Sequence, residues 1–499
     1  MHKKVIIIGS GLGGLATAAM LAKNGYQVTV LEQGTQIGGC LQCFMRKGVK
    51  FETGMHFIGS AAEGQTLNRL MKYLEIDQDV RLSPLDREGY DVVALCGKLY
   101  RFANGRKAFI KQMTTYFPHQ HENLVRYYDL IEQIASASSL HSLSRVQGET
   151  SINSTDYQLR SINEVIDEVI TDPLLARVLV GNLPLYAAEK NKTPFSTHAF
   201  IFDFYNQSAF RIKGGSDIVA KALAQTIERY GGKVMTKQKV TRIICDETHA
   251  VAVEVNKNAM NSKKETIACD YVVSDAHPMR TLELLDTKLI RPAFRQRINQ
   301  IPQTVGVFSV YLHFKKNAMP YMNHNYFGYQ YDTPWDCESY MEHEWPKGFL
   351  YMHFCPDDSM LPYASSGVIL SYMQMEEVER WKGTQIGHRG KDYEDLKKRK
   401  AEKLLDVLEL HFPGIRESIE DYYTSTPLTY QDYTGTERGS MYGNAKDITM
   451  GPACRVPHRT RVPNLFLTGQ NINSHGMLGV LVGSIVASSE LMKKNIDFK

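Results

Sequence analysis

One short stretch near the start of the chain constrains the fold more than any other. Val5-Ile6-Ile7-Ile8 is an apolar run that leads at once into Gly9-Ser10-Gly11-Leu12-Gly13-Gly14. The run suits a buried strand, and the glycines suit a tight turn into a helix. Leu15, Ala18, Ala19, Leu21 and Ala22 then recur on one helical face, and Asn24-Gly25 predicts where the helix stops. A second apolar run, Val28-Thr29-Val30-Leu31, closes on Glu32 and Gln33, with Glu32 eighteen residues after Gly14. A glycine doublet, Gly38-Gly39, follows. Strand, turn, helix, strand and acid in this order form a unit that binds an adenine dinucleotide.

Each position has a physical reason. Gly9 allows the turn out of the strand. Gly11 carries no side chain, so a pyrophosphate can approach the backbone of the loop that Ser10, Leu12 and Gly13 complete. Gly14 lets the helix lie close on the sheet. The free N–H groups and positive dipole end of the helix point at the phosphates. Glu32 stands where a carboxylate accepts hydrogen bonds from ribose hydroxyls.

A chain of 499 residues is too long for one ordinary core and predicts two or three domains. Net charge is +4, from 58 basic and 54 acidic side chains, which argues against a nucleic-acid partner. The one basic run, Lys397-Lys398-Arg399-Lys400, falls in a helical pattern with Leu396, Leu404, Leu405 and Leu408 and reads as a solvated helix face. A membrane-surface contact is the sharper alternative. No secretory signal is visible, and the apolar stretch Gly476–Ala487, twelve residues, is too short to span a bilayer. The expectation is a cytoplasmic protein, soluble or peripheral on a membrane. Cys40 and Cys43 form a CxxC after the glycine doublet, but without a thioredoxin-like context or a second ligand pair they read as packing, and no metal site is expected.

Farther along, Lys213-Gly214-Gly215-Ser216 precedes a helix over Ile218–Tyr230, with Ser216 or Asp217 as its N-cap. Strands follow at Lys239–Ile243, Ala250–Val255 and Tyr271–Val273, the last ending at Ser274-Asp275-Ala276. Near the C-terminus, Leu465-Phe466-Leu467-Thr468-Gly469 is a strand ending in glycine, and Gly476-Met477-Leu478 opens the final helix. Two insertions separate these pieces. One, from Asn104 to Thr197, is helical in pattern. The other carries strands at Val305–Phe314, Tyr326–Tyr331, Phe349–Phe354 and Val368–Met375, which predict an antiparallel sheet, and then a helix near Tyr393–Phe412.

Ala18, Leu21, Gly25, Val28, Glu32 and Gly38-Gly39 together resemble the longer pattern of the FAD-dependent amine oxidase and phytoene desaturase superfamily. The resemblance implies an α/β fold: a Rossmann-like FAD-binding domain with an interleaved α+β substrate domain. It divides the chain into 1–103, 205–285 and 425–499 for FAD and 104–204 with 286–424 for substrate. It implies FAD contacts at Gly9 to Gly14, Glu32, Gln33, Gly38 and Gly39, at the backbone of Val240 beside the adenine, and at Gly469. Met477 and Leu478 at the start of the final helix would face the flavin ring. An acid usually follows the strand-end glycine in this superfamily; here Gln470 and Asn471 stand there, and their amides can still bond a sugar hydroxyl.

The Gly469-Gln470 pair and the segment Phe51–Gly59 are similar to the retinol saturase and carotenoid isomerase branch. That branch implies addition, removal or isomerisation of C=C bonds in an apolar isoprenoid substrate, with an external electron donor or acceptor. His56 is the candidate proton donor or substrate contact, and His475 has a weaker claim. An amine oxidase of the same fold is the alternative; against it, Cys40 replaces the arginine that commonly follows the doublet there.

Overall fold

A computed structural model describes residues 3–138, 143, 156–257, 264–354, 362–472 and 474–498. The first sheet is parallel throughout, in the order Lys233–Met235, Gln27–Leu31, Lys4–Ile8, Tyr271–Ser274, Leu465–Leu467. Such a sheet is covered on both faces, which is why its strands are apolar runs rather than alternating ones. In the first strand Val5 and Ile7 face one core and Ile6 and Ile8 another. Helices Leu12–Lys23, Asp217–Arg229 and Gly476–Met492 build the Val5/Ile7 side. An antiparallel sheet of Gln238–Cys245, Ala250–Lys257 and Lys264–Ala268 covers the other. The first helix is enclosed between sheet and helices and buried from Gly13 to Ala22. A helix in that position needs apolar residues all round, and each large one contributes about 2 kcal/mol by burial.

The second sheet has seven strands, in the order Ile419–Ser425, Gly306–Phe314, Ser366–Met373, Gly348–His353, Asn325–Tyr329, Asp91–Leu95, Lys98–Phe102. Its pairs are antiparallel except one: Asn325–Tyr329 runs parallel to Asp91–Leu95. Strands Asp91–Leu95 and Lys98–Phe102, which lie within the stretch 1–103, pair in this second sheet. The reason is a buried polar clasp. Asp91, wholly enclosed, accepts hydrogen bonds from Asn325 Nδ2 at 2.7 Å and Asn182 Nδ2 at 3.3 Å. Nothing in the local pattern of Asp91–Leu95 announces a partner so far along the chain.

One face of this sheet meets helices His121–Ala137, Ile162–Val169, Pro173–Leu179 and Phe195–Gln207. Inside that layer His198 lies between the hydroxyls of Tyr127 and Tyr186, each at 2.7 Å from a ring nitrogen. Burial holds His198 down to about 3, so the ring is neutral. The opposite face meets helix Lys391–His411.

That helix corrects the reading of the basic run. Lys400 is buried, paired with Glu377 and set 4.2 Å over the Trp345 ring. Its neighbours Lys398 and Arg399 stay exposed, because the 3.6-residue period turns one member of four consecutive residues inward. Among the described residues no helix is long and apolar enough to cross a membrane.

Removing one member of a buried pair costs more than removing the charge altogether. Glu377→Gln, which strands the Lys400 ammonium, is expected to lower unfolding free energy by about 2–4 kcal/mol, and Lys400→Met by less. Chemical denaturation of both variants checks the order.

Candidate dinucleotide site and adjoining cleft

The predicted glycines converge at the C-terminal edge of the parallel sheet. Gly9 has φ +93° and Gly38 φ +112°, conformations that side-chain-bearing residues rarely adopt. The Gly38 N–H donates to the Ser10 carbonyl at 2.8 Å, which lays the doublet beside the first loop. A Cβ on Gly39 would come within 3.2 Å of Gly11 Cα, and one on Gly13 within 2.6 Å of the Gly469 nitrogen. Backbone from three distant parts of the chain thus meets, with the Asp275 carboxyl set among the glycines. Helix Leu12–Lys23 starts at Gly11 with no cap from its own N-cap side chain and no acid in its first turn; the Gly11 and Gly14 amides face the Asp275 carboxyl, and the dipole end favours an anion.

Glu32 is tied into this loop. Its Oε2 accepts from the Ser10 backbone at 3.0 Å and from the Ser10 hydroxyl at 2.6 Å, and its Oε1 from the Gly34 N–H at 2.6 Å. The contacts hold the carboxylate still where a ribose would meet it. Gln33 beside it is exposed. The Gln238 N–H donates to the Glu32 carbonyl at 2.8 Å, which brings Val240 to the same end of the sheet. A register shift in its strand falls between Val240 and Arg242.

At the other end, Gly469 has φ +94° and follows Thr468, whose hydroxyl lies 3.3 Å from that of Thr17. Gln470 is partly exposed. Asn471 is turned to its own neighbourhood: its Oδ1 accepts from the Asn444 N–H at 3.2 Å and its carbonyl from Asn444 Nδ2 at 3.0 Å. Met477 and Leu478 are buried in the helix-side core at the start of Gly476–Met492. His475 precedes that helix as its N-cap residue and lies against Tyr442, ring centres 4.5 Å apart. Burial holds His475 down to about 3. A glycine cradle that any Cβ would fill, a helix end with no cap from its own N-cap side chain and a fixed ribose acid fit a dinucleotide such as FAD.

The segment carrying His56 is fastened to the same place. A Cβ on Gly54 would sit 2.8 Å from the Cys40 carbonyl, so this loop can lie directly on the residue after the doublet. Thr53 Oγ1 donates to the Gln42 carbonyl at 2.7 Å, and the Tyr430 hydroxyl donates to the Thr53 carbonyl at 2.6 Å. His56 is buried, its Nδ1 3.5 Å from Glu52 Oε2. Burial pushes the Glu52 carboxyl up, while His56 and Arg211 draw it down. Arg211, fully buried, donates from Nη1 to the His56 carbonyl at 3.1 Å. Among the described residues, Glu52 Oε2 and His56 Nδ1 have only each other, at 3.5 Å, and Arg211 Nε makes no hydrogen bond. Incompletely satisfied polar atoms buried together are the kind that a bound molecule satisfies. Cys40 and Cys43 are free thiols that burial pushes up to about 11 and about 12, too high for thiolate chemistry at neutral pH.

Three residues here escaped the sequence reading. Glu52 was visible only as part of a motif, and Arg211 only as a charge in an apolar strand. Asp275 was seen as the end of a strand, but its place between Gly11 and Gly469 depends on sheet order, which no local pattern encodes.

A small apolar gap of about 20 Å³ lies between the helical layer and the second sheet, lined by Leu183, Pro184, Val307, Leu350, Leu370 and Tyr372 among others. Met441 also lines it, and the hydroxyl of the next residue, Tyr442, donates to the Pro184 carbonyl at 2.9 Å. Tyr442 in turn lies against His475, the residue before the last helix.

A nucleotide cradle at the edge of a parallel sheet is the arrangement that a dinucleotide-dependent oxidoreductase requires. The family model described as flavin containing amine oxidoreductase matches residues 12–487, and the chain belongs to that family. It is a flavoprotein oxidoreductase whose cofactor is FAD. The chain is 30% identical to all-trans-retinol 13,14-reductase of Rattus norvegicus over 98% of its own length and 86% of the relative's. It is 25% identical to prolycopene isomerase 2 of an Oncidium hybrid cultivar, over 97% and 82%. An oxidoreductase structure from Methanosarcina mazei superposes with a TM-score of 0.65 at 16% identity, covering 98% of this chain and all of that one, which shows a shared fold.

Gly13→Ala places a methyl against the Gly469 backbone, an overlap worth about 1–3 kcal/mol that the junction can relieve only by opening. The variant is expected to purify with little flavin, read from visible absorbance against protein concentration, while Gly25→Ala, which strains a backbone at φ +81° but overlaps nothing, loses about 1 kcal/mol of stability and keeps its flavin.

Proposed function

We propose that the protein saturates, desaturates or isomerises a C=C bond in an apolar, isoprenoid-type substrate. The observation that carries this reading is the likeness, over 98% of the chain, to a retinol 13,14-reductase that is 30% identical. The apolar character of the small gap between Leu183, Val307, Leu350 and Leu370 agrees with it. The names of the two relatives, a retinol reductase and a lycopene-type isomerase, support the same class.

Bound FAD supplies hydride exchange with carbon. The chain's own residues do the rest. The cradle of Gly9 to Gly14, Gly38 and Gly39 would hold the pyrophosphate, Glu32 the ribose, and the Val240 backbone the adenine. Gly469, Gln470 and Asn471 would serve the sugar chain of the flavin, and the helix that carries Met477 and Leu478 in its first turn would offer its positive end. His56, oriented by Glu52 and Arg211, holds or delivers a proton at the substrate carbon that does not receive hydride. Glu338, the one acid lining the gap, is pushed up to about 7 by burial and offers a substrate hydroxyl a polar end. The electrons come from or go to an external partner, and a membrane contact would supply an apolar substrate directly.

Anaerobic mixing of chemically reduced holoenzyme with retinoids and carotenoids should reoxidise the flavin and change the substrate's polyene spectrum; oxidised enzyme with their saturated counterparts tests the reverse direction. Reduction of the flavin by amines, with peroxide released in air, would overturn the reading in favour of an amine oxidase. His56→Ala should keep its flavin and lose turnover by about 10²-fold. Unchanged turnover would retire the proton role.

A further inference from the structure

Asp275 lies at the bottom of the pyrophosphate cradle. It follows strand Tyr271–Ser274, which pairs directly with the first strand, and its N–H donates to the Ile8 carbonyl at 2.8 Å. Its side chain is threaded through the glycine junction. A Cβ on Gly13 would stand 2.6 Å from Asp275 Oδ1, one on Gly14 3.2 Å from Oδ2, and Cβ atoms on Gly11 and Gly469 would overlap its oxygens outright. The carboxyl therefore occupies the space that four missing side chains leave, beneath the amides of the helix N-terminus, and it remains partly open to the cradle. A carboxylate here and a cofactor diphosphate at the same helix end are like charges in one water-poor site, where mutual repulsion is large.

We propose that Asp275 must carry a proton for FAD to bind tightly, so that FAD binding takes up one proton at this residue when the pH is high enough to ionise it. The proposal uses only the family cofactor and the cradle, and it stands or falls independently of the substrate class. Among the described residues no lysine, arginine or histidine offsets the Asp275 charge, and His277, two residues on, is paired with Gln303. The loop Gly9–Gly14 and the segment Thr468–Gln470 hold no ionisable side chain. The second strand contributes Glu32, whose charge disfavours ionisation of Asp275, and the turn after the doublet contributes the Cys40 thiol. Burial is the largest cause and Glu32 adds to it, against the pull of the Gly14 and Gly11 amides; together they hold the Asp275 carboxyl up to about 7. Asp275 is thus neutral below that pH and anionic above it. A bound diphosphate raises it further, so affinity is greatest in the acid range and falls as pH rises past 7. The diphosphate of FAD stays fully ionised throughout and contributes no titration of its own.

The test is the FAD dissociation constant of the full chain, followed by flavin fluorescence as holoenzyme is diluted at different pH. Between about pH 6.5 and about pH 8.5 the constant should rise roughly tenfold in the native protein. In Asp275→Asn, which keeps the shape and removes the charge, it should stay flat and be the tighter of the two at high pH. A second measurement needs no variant. Calorimetric titration of the flavin-stripped native protein with FAD, in buffers of different ionisation enthalpy, should show proton uptake approaching one per FAD near pH 8 and little near pH 6. A constant independent of pH, absence of proton uptake, or an Asp275→Asn protein that keeps the native pH dependence would each overturn the proposal.

Discussion

The close approach of bare backbone at one junction is what the rest of the molecule depends on. Gly11 and Gly13 on the first loop, Gly39 in the doublet and Gly469 near the C-terminus meet at distances that even a methyl group would prevent. Two consequences follow. The first helix can start directly over the sheet with no cap from its own N-cap side chain, which makes an anion site. The last helix can also pack along the first, where the Ser484 hydroxyl donates to the Gly13 carbonyl at 3.2 Å. A larger residue at the junction would disturb the cofactor site and the packing of the parallel sheet together, because the same contacts serve both.

The two sheets answer to different demands. The parallel one is enclosed by helices and a small antiparallel layer, and its strand ends collect the polar work of holding a nucleotide. The larger sheet and its helical layer are built around aromatic and aliphatic contacts, and their buried polar groups are mostly locked in pairs: His198 between two tyrosines, Asp91 between two asparagines, Lys400 on Glu377. The cluster of Glu52, His56 and Arg211 differs in its place, since three buried polar atoms lacking a hydrogen bond among the described residues gather there in one spot, while others such as that of Tyr90 lie scattered. Polar groups left incompletely satisfied inside a protein cost stability, and they mark where a ligand or a proton is handled. Their attachment to the glycine doublet through Gly54 and Thr53 places that cost beside the cofactor cradle.

Much of this was legible from local pattern. A run such as Val5–Ile8 followed by spaced glycines encodes strand, turn and helix in one stretch, and Glu32 lies close enough in sequence to be assigned with them. The element types in the second insertion were legible for the same reason, and the observed strands differ from the expected ones only at their ends. What failed needed knowledge of partners. The strand Asp91–Leu95 was not assigned from sequence, and its pairing with Asn325–Tyr329 places it in the second sheet. Lys400 reads as one of four solvated cations until the helix is rotated against Trp345 and Glu377.

The sequence by itself determined the cofactor-binding unit, because spacing within one strand–turn–helix–strand segment dictates backbone geometry with little help from elsewhere. It determined too that the chain returns to that unit at Tyr271 and again at Leu465. The tertiary structure decided what those returns bring with them. Sheet order sets the end of strand Tyr271–Ser274 beside the first loop, so Asp275 enters the glycine junction and an acid comes to lie under the phosphate site. The same folding sets Arg211 against His56 and leaves a small apolar gap between layers drawn from separate parts of the chain. Charge proximity and cavity shape arise between segments far apart in sequence, so no local pattern contains them.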